Sequence, residues 1–112
     1  MPSKIVNSNL LPLFDEITKC EKLIFACGTN GISANIVGKF KLNFLHSEDR
    51  LDCEDGTNHI HIDWGNIQKI ETGNFYGEGV LTFQSEKNVL FKLYNPNGNF
   101  SEKLNQLAID FK

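Results

Sequence analysis

From Leu23 to Tyr94 the chain alternates apolar and polar residues with a period of two, and short polar turns interrupt the pattern. Successive side chains on a strand point to opposite faces, so this pattern describes strands buried on one side and wet on the other. Turns this short join antiparallel neighbours, because a parallel crossover needs a dozen or more residues. Leu23 to Cys27 is a short apolar run, and the Asn30-Gly31 pair after it closes a hairpin onto Ile32 to Val37. Beyond it, Ile36, Gly38, Phe40, Leu42, Phe44 and His46 alternate with Val37, Lys39, Lys41, Asn43 and Leu45. That gives one apolar, aromatic face and one largely polar face. Ser47 to Arg50 turns the chain, and Leu51 to Glu54 and Asn58 to Asp63 form a further hairpin across Asp55-Gly56-Thr57. Ile67 to Thr72 is a strand, residues 73–79 read as a glycine-rich loop, and Val80 to Gln84 with Val89 to Tyr94 make the last hairpin.

Both ends of the chain switch to helical spacing. Leu10, Leu13, Phe14 and Ile17 share one face of a helix over residues 9–20, and residues 1–8 read as a loose arm. Phe100, Leu104, Leu107, Ala108 and Phe111 make the stripe of a C-terminal helix, with Asn99 three residues before Glu102 as its expected N-cap. The fold class is therefore α+β: an antiparallel meander of seven or eight strands with a helix at each end. At 112 residues the chain makes one domain, 1–112.

Composition narrows the function classes. The formal net charge is −3, which supplies no basic surface for nucleic acid. No run reaches the length of a membrane span, and the first residues, Met1 to Val6, lack the apolar stretch of a signal peptide. Cys20, Cys27 and Cys53 are odd in number and form no C-x-x-C, which reads as reduced, buried thiols of a cytoplasmic protein. The serines sit in no nucleophile elbow, and the acidic residues gather in turns, so nothing here points to an enzyme. Nine phenylalanines stand against two tyrosines and one tryptophan, enough to line a cavity or a subunit contact as well as a core.

The chemistry-bearing stretch is His59-Ile60-His61-Ile62-Asp63-Trp64. On a strand His59, His61 and Asp63 share one face, while Ile60 and Ile62 enter the core. Two imidazoles so placed can serve a metal or a haem iron; the same alternation equally describes a solvated polar face. Tyr76, beside Phe75 in the glycine-rich segment, offers a phenolate of the kind that ligates ferric haem, or simply an aromatic pair packed on the sheet. His46 ends the Phe40–Phe44 face and looks toward whatever that face covers.

The hairpin that ends in Val89-Leu90-Phe91-Lys92-Leu93-Tyr94 is similar to the closing signature of the haem-iron utilisation carriers of the HemS, ChuX and HutX type. In those proteins a strand ending in Phe is followed by a Phe-Lys-Ile-Tyr-like strand and a C-terminal helix. Ile36-Val37-Gly38-Lys39-Phe40 resembles the family's strand with Gly before an aromatic, and His59-Ile60-His61-Ile62 sits where the family carries a Gly-His-Leu-type strand. Order and spacing agree over residues 23–111. The chain departs from the family at Leu42-Asn43-Phe44-Leu45-His46, where a Gly-Tyr-Phe-Asn stretch is usual, and Arg50 is its one arginine. The resemblance implies a split-sheet α+β fold, a haem or tetrapyrrole bound in a cleft, and a homodimer, since longer members carry two packed copies.

On that basis the expected function is a non-catalytic, cytoplasmic carrier or storage protein for haem. His59 or His61 is the expected axial ligand, with His46 and Tyr76 as alternatives. Phe40, Phe44 and Phe75 are expected to wall the ring, and Lys39, Lys41 or Arg50 to meet the propionates. The rival expectation is a cofactor-free interaction or regulatory module on the same fold. A haem-degrading enzyme would need an open distal pocket and an electron donor, and the sequence shows neither.

Overall fold

The computed structural model describes residues 10–29, 31–43, 50–62 and 64–111. The order is α1 (Leu10–Ile17), β1 (Leu23–Thr29), β2 (Ile32–Gly38), β3 (Phe40–Asn43), β4 (Arg50–Cys53), β5 (His59–His61), a single 3-10 turn (Trp64–Asn66), β6 (Lys69–Phe75), β7 (Glu78–Gln84), β8 (Val89–Asn95) and α2 (Glu102–Asp110). The strands form two antiparallel sheets, a five-stranded one in the order β2-β1-β8-β7-β6 and a three-stranded one in the order β3-β4-β5. The architecture is α+β with a split sheet and a helix at each end, as the alternation and the family resemblance imply.

One face of the large sheet is the floor of the core. Cross-strand pairing sets Phe25 beside Leu93 and Leu93 beside Leu81, and the next row runs Phe91, Phe83, Ile70. All of these are buried, together with Leu13, Phe14 and Ile17 of α1 and Leu104 and Ala108 of α2. The small sheet contributes Phe40, Leu51 and Cys53 to the same core, and the 3-10 turn contributes Trp64. Phe14 lies at its centre, edge-on to Trp64 at 4.7 Å and tilted against Phe83 at 5.5 Å. The two helices pack on each other, and Lys103 of α2 reaches Glu16 of α1 at 3.2 Å.

The structure corrects three local expectations. The alternating stretch from Ile36 onward is not one strand: it breaks at Lys39, where the chain leaves the large sheet for the small one. The Lys39 carbonyl accepts from Glu54 N at 2.8 Å, and its ammonium donates to the carbonyls of Thr18 and Cys20 just past α1. The segment 73–79 is not a loop. β6 and β7 pair through it, from Gly73 with Val80 to Phe75 with Glu78, leaving a two-residue turn at Tyr76-Gly77. Gly79 is there for packing: a Cβ on it would stand 2.8 Å from the Phe100 ring and backbone. The N-cap of α2 is Ser101, whose hydroxyl accepts from Leu104 N at 3.1 Å. Asn99 instead accepts from the Asn74 amide at 2.7 Å, tying the β6–β7 hairpin to the α2 approach.

Candidate functional site

The large sheet is continuous along only part of β1. β1 pairs with β8 from Ile24–Tyr94 to Ala26–Lys92, three residue pairs in all. Past Ala26, β1 follows β2 as far as Thr29, while β8 begins at Val89 against β7. The two central strands therefore fork. The β7–β8 register also shifts between Phe83 and Gln84, beside the fork, which adds twist where the strands part.

A cleft of about 260 Å³ occupies the fork on its inner side. β1 supplies Phe25 and Cys27, β8 supplies Leu90 and Phe91, and the small sheet closes over them with Ile60, His61 and Ile62; Asn66 and Ile67 complete the lining. A second cavity of about 220 Å³ shares Cys27, Leu90 and Phe91, and is lined further by Ala26, Gly28, Ser33, Val89 and Lys92. Gly28 belongs there because β2 runs close: a Cβ on it would lie 2.3 Å from the Ile32 carbonyl oxygen. The wall is aromatic. Phe25 stacks on Phe91 at 4.7 Å, and Phe91 stacks on Phe83 at 4.4 Å, so a column of three rings runs from the cleft into the core. Offset stacking of this kind holds flat groups in one orientation, which suits contact with another flat group.

The expected site residues fall in different places. His59 and His61 are exposed on the outer face of the small sheet, rings 4.9 Å apart and edge to face, while Ile60 and Ile62 pack half-buried on the core. His61 borders the cleft between Ile60 and Ile62, while its ring lies with that of His59 on the outer face. Arg50 pairs with His61 in the β4–β5 ladder. Phe40 is 1% exposed, so its ring is core packing rather than cleft wall. Phe75 and Tyr76 stand at the β6–β7 turn, with Tyr76 92% exposed at a φ of 50° and Phe75 edge-on to Tyr94 at 5.9 Å. Neither lines the forked cleft. Lys39 is engaged with the end of α1, as described above, and Lys41 is exposed on the small sheet. His46 and Phe44 lie outside the described residues.

The residues that line the cleft beside His61 are ones the sequence did not single out: Phe25, Phe91 and Cys27. Of the three thiols expected to be buried, Cys53 is buried, Cys20 is half-buried, and Cys27 is exposed. Burial pushes the Cys53 and Cys20 thiols above their ordinary range. The one available signal was that Phe25 and Cys27 share a face of one strand. Among the described residues, no group of three or more His, Cys, Asp or Glu side chains is placed to hold a metal ion by itself.

A tetrapyrrole can be tested against this lining. The inner cleft alone is smaller than an ordinary small-molecule site, but the two adjoining cavities together reach that size range. Apolar and aromatic walls, an imidazole on the rim and the Lys92 ammonium in the second cavity match a flat apolar macrocycle with a metal centre and carboxylate arms. His61 and Lys92 are the basic residues among the two linings, and neither cavity alone encloses such a ring.

No family model matches the chain, and no curated protein matches it in sequence. Solved structures do share its fold. A protein of Erwinia carotovora aligns with a TM-score of 0.67 at 14% identity, covering 94% of this chain and 73% of that one. A protein of Agrobacterium tumefaciens aligns with a TM-score of 0.65 at 15% identity, covering 94% and 68%. ChuX aligns with a TM-score of 0.61 at 12% identity, covering 91% and 69%. The chain thus shares the fold of ChuX.

Proposed function

We propose that the chain is a single-domain, non-catalytic carrier or storage protein for haem or a related tetrapyrrole in haem iron utilisation, and that it holds the ligand in the β1–β8 fork. The observation that carries this reading is an apolar, aromatic-walled cleft with His61 on its rim, in a fold shared with ChuX. A bound tetrapyrrole iron would be held by a neutral imidazole nitrogen. His61 takes that role, with His59 beside it as the alternative. Phe25 and Phe91 support the ring, and Lys92 meets a propionate. Three free cysteines suit a reducing cytoplasmic setting, and no helix among the described residues is long and apolar enough to cross a membrane.

The proposed assembly is a homodimer through the outer face of the large sheet, opposite the helices. Val37, Ile24, Tyr94 and Val80 form one cross-strand row there, continued by Phe75 and Tyr76. Val37 is 51% exposed and Phe75 53%. Such a face can pack on its own copy about a two-fold axis. The same row favours a second reading, a cofactor-free interaction module.

An absorbance titration with haemin, followed by size exclusion, separates the two. The carrier reading expects a saturable Soret shift that weakens in His61→Ala, in a sample eluting as a dimer. A colourless dimer that ignores haemin leaves the interaction module in its place.

A further inference from the structure

The two edges of the large sheet are built differently. β6 ends one side and carries Lys69 and Glu71, an exposed ion pair at 3.1 Å. β2 ends the other side with Ile32-Ser33-Ala34-Asn35-Ile36-Val37-Gly38, which holds no charge and no proline and keeps one unbroken register with β1 from end to end. Charges, prolines, bulges and short length are what keep an exposed edge from pairing. In the small sheet, β3 carries Lys41 and β5 is only three residues long. Among the described residues, β2 is therefore the unprotected edge.

Its backbone is set out for pairing. Residues of an antiparallel ladder alternately turn their N–H and C=O toward the partner strand and away from it. The Thr29–Ile32 pair closes the β1–β2 hairpin and turns inward, so Ser33, Asn35 and Val37 turn outward. Ile32, Ala34 and Ile36 share the inner face of the sheet, where Ile36 stands beside Phe25. Ile36 is half-buried against the core, while Ile32 is 69% exposed.

We propose that β2 pairs with β2 of a second copy, antiparallel about a two-fold axis through Ala34. Ser33 then exchanges hydrogen bonds with Asn35 of the partner subunit, and Ile32 lies opposite Ile36 of the partner subunit. Each exposed Ile32 is thereby covered by the apolar margin of the other copy's core. The strand suits its own copy because residues of like polarity fall opposite each other and no charge meets itself across the axis. The ladder is short, so the contact is weak and forms as concentration rises. It is separate from the outer-face packing, and it needs no haem.

The test uses the full chain without haemin. In sedimentation, the average mass of the wild type is expected to rise about twofold between about 10 μM and about 1 mM protein. Over the same range, hydrogen exchange at the Ser33 and Asn35 amides is expected to slow about tenfold. Ile32→Lys charges the edge at an exposed position, and Asn35→Pro removes an outward N–H. Each is expected to hold the mass at its dilute value with an unchanged circular dichroism spectrum. Tyr76→Ser, on the outer face, should leave the rise intact. A wild-type mass that stays constant, a rise that persists in Ile32→Lys, or equal exchange of the Ser33 and Asn35 amides at both concentrations overturns the edge contact and leaves the carrier reading untouched.

Discussion

The two halves of the large sheet use the same residue types to different ends. Where β6 and β7 pair, the inner face is sealed: α2 packs on β6, and Phe100 presses on Gly79 so closely that a Cβ would collide with it. Phe83 there is 0% exposed. Where β1 and β8 meet, the ladder stops after three pairs, and Phe25 and Phe91 face a cleft roofed only by the small sheet. Phe25, Phe91 and Phe83 form one column of buried core rings, of which only Phe25 and Phe91 also border the cleft. Burial in the first region is complete; in the second, Phe25 and Phe91 are each 5% exposed and belong to the core while bordering the cleft. A phenylalanine count cannot distinguish these uses, because strand pairing decides which rings are covered.

Substitutions at the sealed end should cost stability and leave ligand binding alone, and those at the fork should do the reverse. The largest expected effect is Phe14→Ala. Its ring is 1% exposed between Trp64 and Phe83, and its loss should lower unfolding free energy by about 3–5 kcal/mol in urea denaturation. Gly79→Ala should follow, at about 1–3 kcal/mol, since the Phe100 ring and backbone must both move. Leu90→Ala sharpens the contrast: this half-buried fork residue should cost only about 1 kcal/mol while weakening haemin binding measurably. If Leu90→Ala destabilises as much as Phe14→Ala, the fork is ordinary core and the comparison collapses.

The smallest effect expected is electrostatic and belongs to the sealed side. Hydrogen bonds from Lys19 and Lys103 hold the Glu16 carboxylate below its ordinary value of 4.5. A depressed folded value means that the contribution is present above the ordinary value and disappears as pH falls through the depressed one. Glu16→Gln should therefore flatten the acid limb of the stability–pH curve, and added salt should shrink the difference between the two proteins. A Glu16→Gln curve that superimposes on the wild type would show that the Lys103 link between the helices is idle.

Much of the fold was readable because it is local. The period of two, the turn signals and the helical stripes identified both helices, the hairpins and the core-facing side of Ile60 and Ile62, which are half-buried. The misreadings arose where non-local packing overrode a local pattern. The alternation around Lys39 continues smoothly in sequence, but the chain changes sheets there because the small sheet must fold back over the large one. The glycines near Tyr76 look like a loop, yet Gly79 answers the approach of Phe100, which is far away in sequence. The site was legible in part. The period of two puts His61 on the outer face, but its place at the cleft, like those of Phe25, Phe91 and Cys27, depends on where the β1–β8 ladder ends. That pairing joins strands at opposite ends of the sheet-forming segment, and nothing in either strand announces it.

Backbone amide hydrogen exchange of the full chain, with and without haemin, locates the ligand most directly. Slowed exchange is expected at Phe25 to Gly28, at Ile60 to Ile67 and at Val89 to Lys92, the three segments that meet at the fork. Slowed exchange confined to residues 73–79 and the outer sheet face, with the fork unchanged, would contradict the placement of the ligand between β1 and β8.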